Sequence, residues 1–176
     1  VLFDPFCGSG TIPIEAAMIG KNIAPGLDRS FASQGWPRIN KEYWTKAKRE
    51  AFGLIDNETK LQILGCDIDK RSILRARDNA ANLGLEEDIA FFMKDMRDVD
   101  LKDEYGVVIT NPPYGERMGE KEEVHQLYRD LGVKFNDFKT WSVYVITAEE
   151  GFEILYGKKA DRKRKLYNGR IKVDYY

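Results

Sequence analysis

Short apolar runs alternate with amphipathic stretches along most of this chain. Residues 1–6 are mainly apolar, broken by Asp4-Pro5, and lead into Cys7-Gly8-Ser9-Gly10-Thr11; Ile12, Ala16 and Ile19 then recur at helical spacing. That order predicts strand, glycine turn and helix. Residues 21–38, with Pro25, Gly26, Gly35 and Pro37, read as a loop. Asn40, with Glu42 behind it, reads as the N-cap of a helix reaching about Phe52. A second strand is expected over 61–67, then a helix from Asp69 to Leu83 stopped by Gly84. Apolar runs over 89–93 and 106–110 predict two more strands, the latter running straight into Asn111-Pro112-Pro113-Tyr114. Residues 121–138 have helical spacing with a soft point near Gly132, 141–147 form a β-branched and aromatic strand, and 149–156 a short helix. Asn168-Gly169 between runs over 165–167 and 170–175 is a hairpin signal.

Strands alternating with helices imply an α/β, Rossmann-like, doubly wound and mostly parallel sheet, with one antiparallel strand from the terminal hairpin. Strands one and four of such a sheet flank its switch point, so Asp4 and Asn111 should share one crevice. Asp67, at the acidic end of the second strand, follows Gly10 by 57 positions. A nucleotide-binding unit uses about 20, so an insertion at about 21–57 is expected within one domain spanning 1–176.

Composition narrows the classes. The 28 basic and 29 acidic residues give a net charge of −1, and 43% of the chain is hydrophobic. This excludes a binder held by bulk positive charge, and it argues against intrinsic disorder. Cys7, Cys66 and a single His125 cannot make a disulfide scaffold or a Cys/His zinc site, so no metal is expected. No apolar run approaches the roughly 20 residues of a membrane span. The chain begins Val1-Leu2-Phe3-Asp4, within a strand and without initiator Met or basic leader, and so reads as a piece of a longer cytosolic protein.

Two segments carry chemistry. Gly8 and Gly10 permit a sharp turn and close approach of a ligand. Pro13 stands where a dinucleotide fingerprint has its third glycine, and no Walker Lys-Ser/Thr pair follows. An acidic strand end followed by Gly-x-Gly instead suits a cationic, phosphate-free ligand such as S-adenosylmethionine, the plainer reading being an ordinary strand-to-helix turn. Asp67 can accept both hydrogen bonds of a ribose diol, whereas Asp69 reads as a helix cap. Asp95 reads either as a partner of an adenine amino group or as a solvated carboxylate.

The second segment is Asn111-Pro112-Pro113-Tyr114. An exocyclic base amine is a poor nucleophile because its lone pair is delocalised into the ring. The Asn111 side-chain carbonyl and the Pro112 backbone carbonyl can each accept one amine N–H, which draws the nitrogen toward tetrahedral geometry. Pro112 and Pro113 keep that backbone stiff. Tyr114 offers a face for a flipped-out or single-stranded base, worth ~1–3 kcal/mol. Arg117 reads either as a phosphate or base contact or as a surface ion pair.

Residues 4–17, beginning Asp4-Pro5-Phe6-Cys7-Gly8-Ser9-Gly10-Thr11, together with Asn111-Pro112-Pro113-Tyr114-Gly115-Glu116-Arg117, resemble the THUMP-associated RNA methylases. These are Rossmann-like, S-adenosylmethionine-dependent enzymes, and the likeness is greatest to the bacterial branch that methylates guanine N2 in large-subunit ribosomal RNA. It covers essentially the whole chain, including Gly35-Trp36-Pro37-Arg38-Ile39 and the terminal hairpin. The resemblance implies that Asp4, Gly8 and Gly10 line the methionine end of the cofactor, with Pro5, Phe6 and Thr11 beside them. It further implies that Asp67 and Ile68 attend the ribose, that Asp95 and Met96 bracket the adenine, and that Asn111 to Tyr114 bind the target amine. In this family an upstream segment completes the cofactor pocket and an upstream THUMP domain captures RNA; neither is in this sequence. Asn-Pro-Pro-Tyr also occurs in adenine-N6 methyltransferases, so the motif fixes an amine acceptor and leaves the base open. A nucleotide- or RNA-gripping module without turnover is the alternative from another class.

Lesser features have plainer readings. Residues 158–165 hold six basic residues in eight, yet they precede a strand parallel to the sheet and so belong at the end opposite the crevice, as a solvated loop. His125 reads as a surface residue, and Cys7 and Cys66 as small buried hydrophobes.

Overall fold

The computed structural model describes residues 1–115 and 121–176. Its elements are β1 (Leu2–Asp4), α1 (Thr11–Gly20), α2 (Lys41–Gly53), β2 (Ile63–Asp67), α3 (Lys70–Ala81), β3 (Ile89–Met93), β4 (Gly106–Thr110), α4 (Lys121–Phe135), β5 (Trp141–Thr147), α5 (Phe152–Tyr156), β6 (Arg164–Asn168) and β7 (Ile171–Tyr175). The sheet order is β3-β2-β1-β4-β5-β7-β6. β1 runs parallel to both β2 and β4, which puts the switch point at the carboxyl ends of β1 and β4, as the strand order predicts. β7 is antiparallel to β5 and β6.

Strand alternation divides the core between the two faces of the sheet. On β1, Phe3 enters a cluster with Val108, Tyr128, Leu131, Phe135 and Phe152, while Leu2 packs on the opposite cluster of Ile14, Ala17, Ile63, Ile73, Ala76 and Phe91. Neighbouring β2 repeats the pattern with Leu64 and Ile63. The first cluster is roofed by α4 and α5, the second by α1 and α3. Each large apolar side chain fully buried this way contributes roughly 1.5–3 kcal/mol.

Caps set the helix starts. Asn40 accepts the Glu42 N–H at 2.9 Å and starts α2; Asp69 accepts the N–H groups of Arg71 and Ser72 and starts α3. α5 begins three residues later than the periodicity predicts. Thr147 and Glu149 side chains accept the N–H groups of Glu149 and Gly151, which holds residues 147–151 in turns. The expected soft point at Gly132 is also corrected. α4 is continuous through it, and a Cβ there would run into the Tyr156 carbonyl oxygen, so this glycine is what lets α5 lie against α4.

The segment between α1 and β2 is clamped at its base, where Asp56 N–H reaches Lys21 O at 2.8 Å and Asn22 Nδ2 reaches Leu54 O at 2.9 Å. Beyond that clamp α2 buries no residue, Trp36 and Tyr43 are exposed, and Trp44 stacks on Phe31. The chain exposes 12,044 Å², against roughly 8,800 Å² for a compact monomer of this mass. The exposed aromatics of this segment account for part of the difference.

Candidate active site

The carboxyl end of β1 is built around Asp4. Its side chain is 1% exposed, and Oδ1 accepts the Phe6 N–H at 3.1 Å and the Thr110 hydroxyl at 2.7 Å. Burial pushes the carboxyl up to about 7, against the lowering effect of those two hydrogen bonds. Asp4 is therefore a strut beneath the crevice, joining the end of β1 to the residue before Asn111. Pro5 is buried, Phe6 half-buried, and Thr11 exposed on the first turn of α1.

The two glycines that look alike in the sequence do different things. Gly8 has φ +52°, and a Cβ built there would meet nothing within 4 Å, so it faces open space. Gly10, at φ +87°, is closed in: a Cβ would lie 2.9 Å from Phe91 Cζ and 3.1 Å from Ala76 Cβ. Gly10 thus allows the start of α1 to pack on β3 and α3, which corrects the expectation that it makes room for a ligand.

Asp67 ties the glycine turn to β2. Its Oδ2 accepts the Gly8 N–H at 3.1 Å and its Oδ1 the Asp69 N–H at 2.9 Å. Each carboxylate oxygen can accept again, so a half-buried acceptor pair remains beside the open face of Gly8. Ile68 follows, 72% exposed. Cys7 and Cys66 are free and buried, and burial pushes the Cys66 thiol up to about 12.

At the end of β3, Asp95 is half-buried and paired through one oxygen. It accepts from Arg97 N–H and Arg97 Nε, both at 2.9 Å, and this pairing holds its carboxyl below the ordinary range. Met96 is 1% exposed and packed in the core. Its side chain cannot line a pocket for an adenine, and only its main chain is left for that purpose.

At the end of β4, Asn111 and Pro113 are exposed, Pro112 is buried and Tyr114 half-buried. The Tyr114 hydroxyl donates to Asn111 Oδ1 at 2.5 Å, a contact that the reading of Tyr114 as a stacking face did not contain. The Pro113 carbonyl accepts from the Tyr128 hydroxyl at 2.8 Å. Tyr128 also meets Thr147 Oγ1 at 2.8 Å. Neither residue was a candidate from the sequence. The available signal was that Thr147 ends β5, at the same edge of the sheet as Asp4, Asp67 and Asn111. His125 is not a free surface residue: its Nε2 lies 3.0 Å from Glu149 Oε2, both side chains about one-fifth exposed. Arg117 lies outside the described residues.

A cavity of about 600 Å³ lies elsewhere. Its walls include Phe138, Trp141, Tyr156, Lys158, Lys159 and Arg162. Trp141 opens β5, so this part of the basic run sits at the end opposite Asn111. Among the described residues there is no His/Cys/Asp/Glu group suited to a metal ion and no helix long and apolar enough to cross a membrane.

Comparison with known proteins places this geometry. The model of the RMKL-like methyltransferase domain matches residues 1–176. A putative RNA methyltransferase, YpsC, of Bacillus subtilis (strain 168) is 50% identical over 173 residues, covering 98% of this chain and 45% of the relative. Ribosomal RNA large subunit methyltransferase K/L of Shewanella woodyi is 42% identical over 181 residues, covering 99% of this chain and 25% of the relative. The crystal structure of SMU.472, a putative methyltransferase complexed with SAH, superposes with a TM-score of 0.95 at 45% identity, over 99% of this chain and 46% of that one. The chain thus spans less than half the length of these relatives. A match over the full 176 residues, with a parallel sheet whose switch point joins the glycine turn to Asn-Pro-Pro-Tyr, shows that this chain belongs to the RMKL-like methyltransferase domain family, with the class I methyltransferase fold.

Proposed function

We propose that this chain transfers a methyl group from S-adenosylmethionine to an exocyclic base amine of RNA, guanine N2 of large-subunit ribosomal RNA. The observation that supports it most is the 2.7 Å hydrogen bond from Thr110 to Asp4. It braces the residue before Asn111 against the strand that delivers the glycine turn, so an amine held by one lies beside a ligand held by the other. The K/L relative's name supports ribosomal RNA as substrate, and the SAH in SMU.472 supports the cofactor.

The residues present fit that cofactor. Gly8 leaves a cradle that a Cβ would occupy, and Asp67 presents carboxylate oxygens beside it, suited to a ribose diol. When bound, the cofactor supplies a methyl group already activated on a sulfonium. The protein then needs to position and polarise the amine rather than deprotonate it with a tuned base. Asn111 Oδ1 has two acceptor sites; Tyr114 fills one, and the other serves the amine. The Pro112 carbonyl takes the second N–H. Capture of the RNA belongs, in this reading, to an upstream THUMP-type domain of the whole protein.

The test is transfer of labelled methyl to unmodified large-subunit ribosomal RNA transcribed in vitro, with nucleoside analysis of the product. N2-methylguanosine is expected, and Asn111→Ala should abolish transfer while SAH affinity stays within about twofold. N6-methyladenosine would overturn the base assignment, and a product on DNA alone the RNA assignment. SAH binding without transfer to any nucleic acid would indicate the non-catalytic module.

A further inference from the structure

Ahead of Tyr114, the prolines of the Asn-Pro-Pro-Tyr motif leave one backbone torsion unrestrained. Asn111 and Pro112 each precede a proline, which holds them extended, and the rings of Pro112 and Pro113 fix φ at both positions. ψ of Pro113 remains. It decides where the Pro113 carbonyl points and from which direction Tyr114 departs. Tyr114 in turn holds Asn111 Oδ1 through its hydroxyl. The carbonyl that reports this torsion is the one Tyr128 grips, at 2.8 Å.

Counting protons gives the grip a direction. A carbonyl only accepts, so the single hydroxyl proton of Tyr128 goes to Pro113 O. The 2.8 Å contact between Tyr128 and Thr147 is then donated by Thr147. Thr147 Oγ1 itself accepts the Glu149 N–H at 3.1 Å. The relay therefore runs one way, from Glu149 N–H through the Thr147 and Tyr128 hydroxyls to Pro113 C=O. Its middle members cannot swing aside: Tyr128 and Thr147 are both fully buried, and the Tyr128 ring meets Phe152 edge-on, with centroids 5.2 Å apart. Burial also keeps the phenol protonated, pushing it up to about 12.

We propose that Tyr128 and Thr147 are positioning residues for methyl transfer. By fixing ψ of Pro113 they fix Tyr114, and through Tyr114 the aim of the Asn111 amide oxygen at the target amine. This rests on the methyl-transfer reading above. A tyrosine wanted only for packing would be equally well served by phenylalanine, which fills the same space and leaves Pro113 O unheld.

The test compares Tyr128→Phe, Thr147→Val, Thr147→Ser and the Tyr128→Phe/Thr147→Val double variant in the full-length protein. Transfer to in vitro ribosomal RNA, SAH affinity and thermal unfolding are measured for each. Tyr128→Phe and Thr147→Val are expected to lower kcat by roughly tenfold to a hundredfold, the scale of an ångström-level misplacement, with SAH affinity within about twofold. Thr147→Ser, which keeps the hydroxyl, should restore kcat. The double variant should be no slower than Tyr128→Phe, because both act on one path. Wild-type kcat in Tyr128→Phe would overturn the relay, as would a Thr147→Ser variant as slow as Thr147→Val. Those results need an active wild type; a wild type inactive on every RNA would instead overturn the methyl-transfer reading, and the relay's role with it.

Discussion

Replacing Asp4 by asparagine should make the stability of this protein fall less with rising pH than that of the native sequence. Asp4 is buried, and its carboxyl rises from 3.8 to about 7, chiefly through burial. The folded state therefore holds a proton that the unfolded chain releases, so Asp4 contributes most stability below pH 3.8 and loses it as pH rises through about 7. At 1.36 kcal/mol per pH unit, the whole loss is at most about 4 kcal/mol. Roughly 2–3 kcal/mol of it falls between pH 5 and pH 8. The asparagine amide would still offer an oxygen to the Thr110 hydroxyl and the Phe6 N–H, the two donors that Asp4 accepts, but it has nothing to ionise. Urea unfolding of both proteins at pH 5 and pH 8, at one ionic strength, reads the difference directly. The native protein should lose about 2–3 kcal/mol more than Asp4→Asn over that interval. Parallel losses in the two proteins would refute the reasoning, since Asp4 would then not be the group that carries the proton.

Two further substitutions separate binding from architecture. Asp67→Ala should weaken SAH by about tenfold to a hundredfold, because the proposed charge-assisted hydrogen bonds to the ribose would be lost, with calorimetry as the check. Gly132→Ala should cost roughly 1–3 kcal/mol through overpacking against Tyr156, whereas Gly8→Ala should cost about 1 kcal/mol of backbone strain yet weaken SAH more than Gly132→Ala does. Thermal unfolding paired with SAH titration would show that crossing pattern or its absence.

What the sequence made legible follows from how far each feature reaches along the chain. The boundaries of β3, β4 and β5 match their apolar runs residue for residue, because polar or turn-forming residues bound each run and strand burial is a local pattern. Asn40 and Asp69 are legible as caps for the same reason, since their partners lie two or three residues away. Gly8 and Gly10 differ only in what lies across from them, and the neighbour that closes Gly10 is Phe91, whose place beside it is set by the strand order β3-β2-β1. Asp4 reads from the sequence as an acidic strand end near a ligand; its partner within the fold, Thr110, is 106 residues away and could not be read locally.

Tyr128 is the sharpest case. Val124, Tyr128, Leu131 and Phe135 form the buried stripe of α4 at spacings that any core-facing helix shows. Within that stripe a tyrosine reads as bulk, and nothing local distinguishes it from phenylalanine. Its hydroxyl acquires meaning only when the sheet brings the ends of β4 and β5 together, so that Pro113 and Thr147 converge on one oxygen. The asymmetry is physical. Residues that touch a ligand must be exposed or unusual in type, and they stand out in a sequence. Residues that aim them are buried, share the composition of the core, and become visible only through contacts that the fold creates.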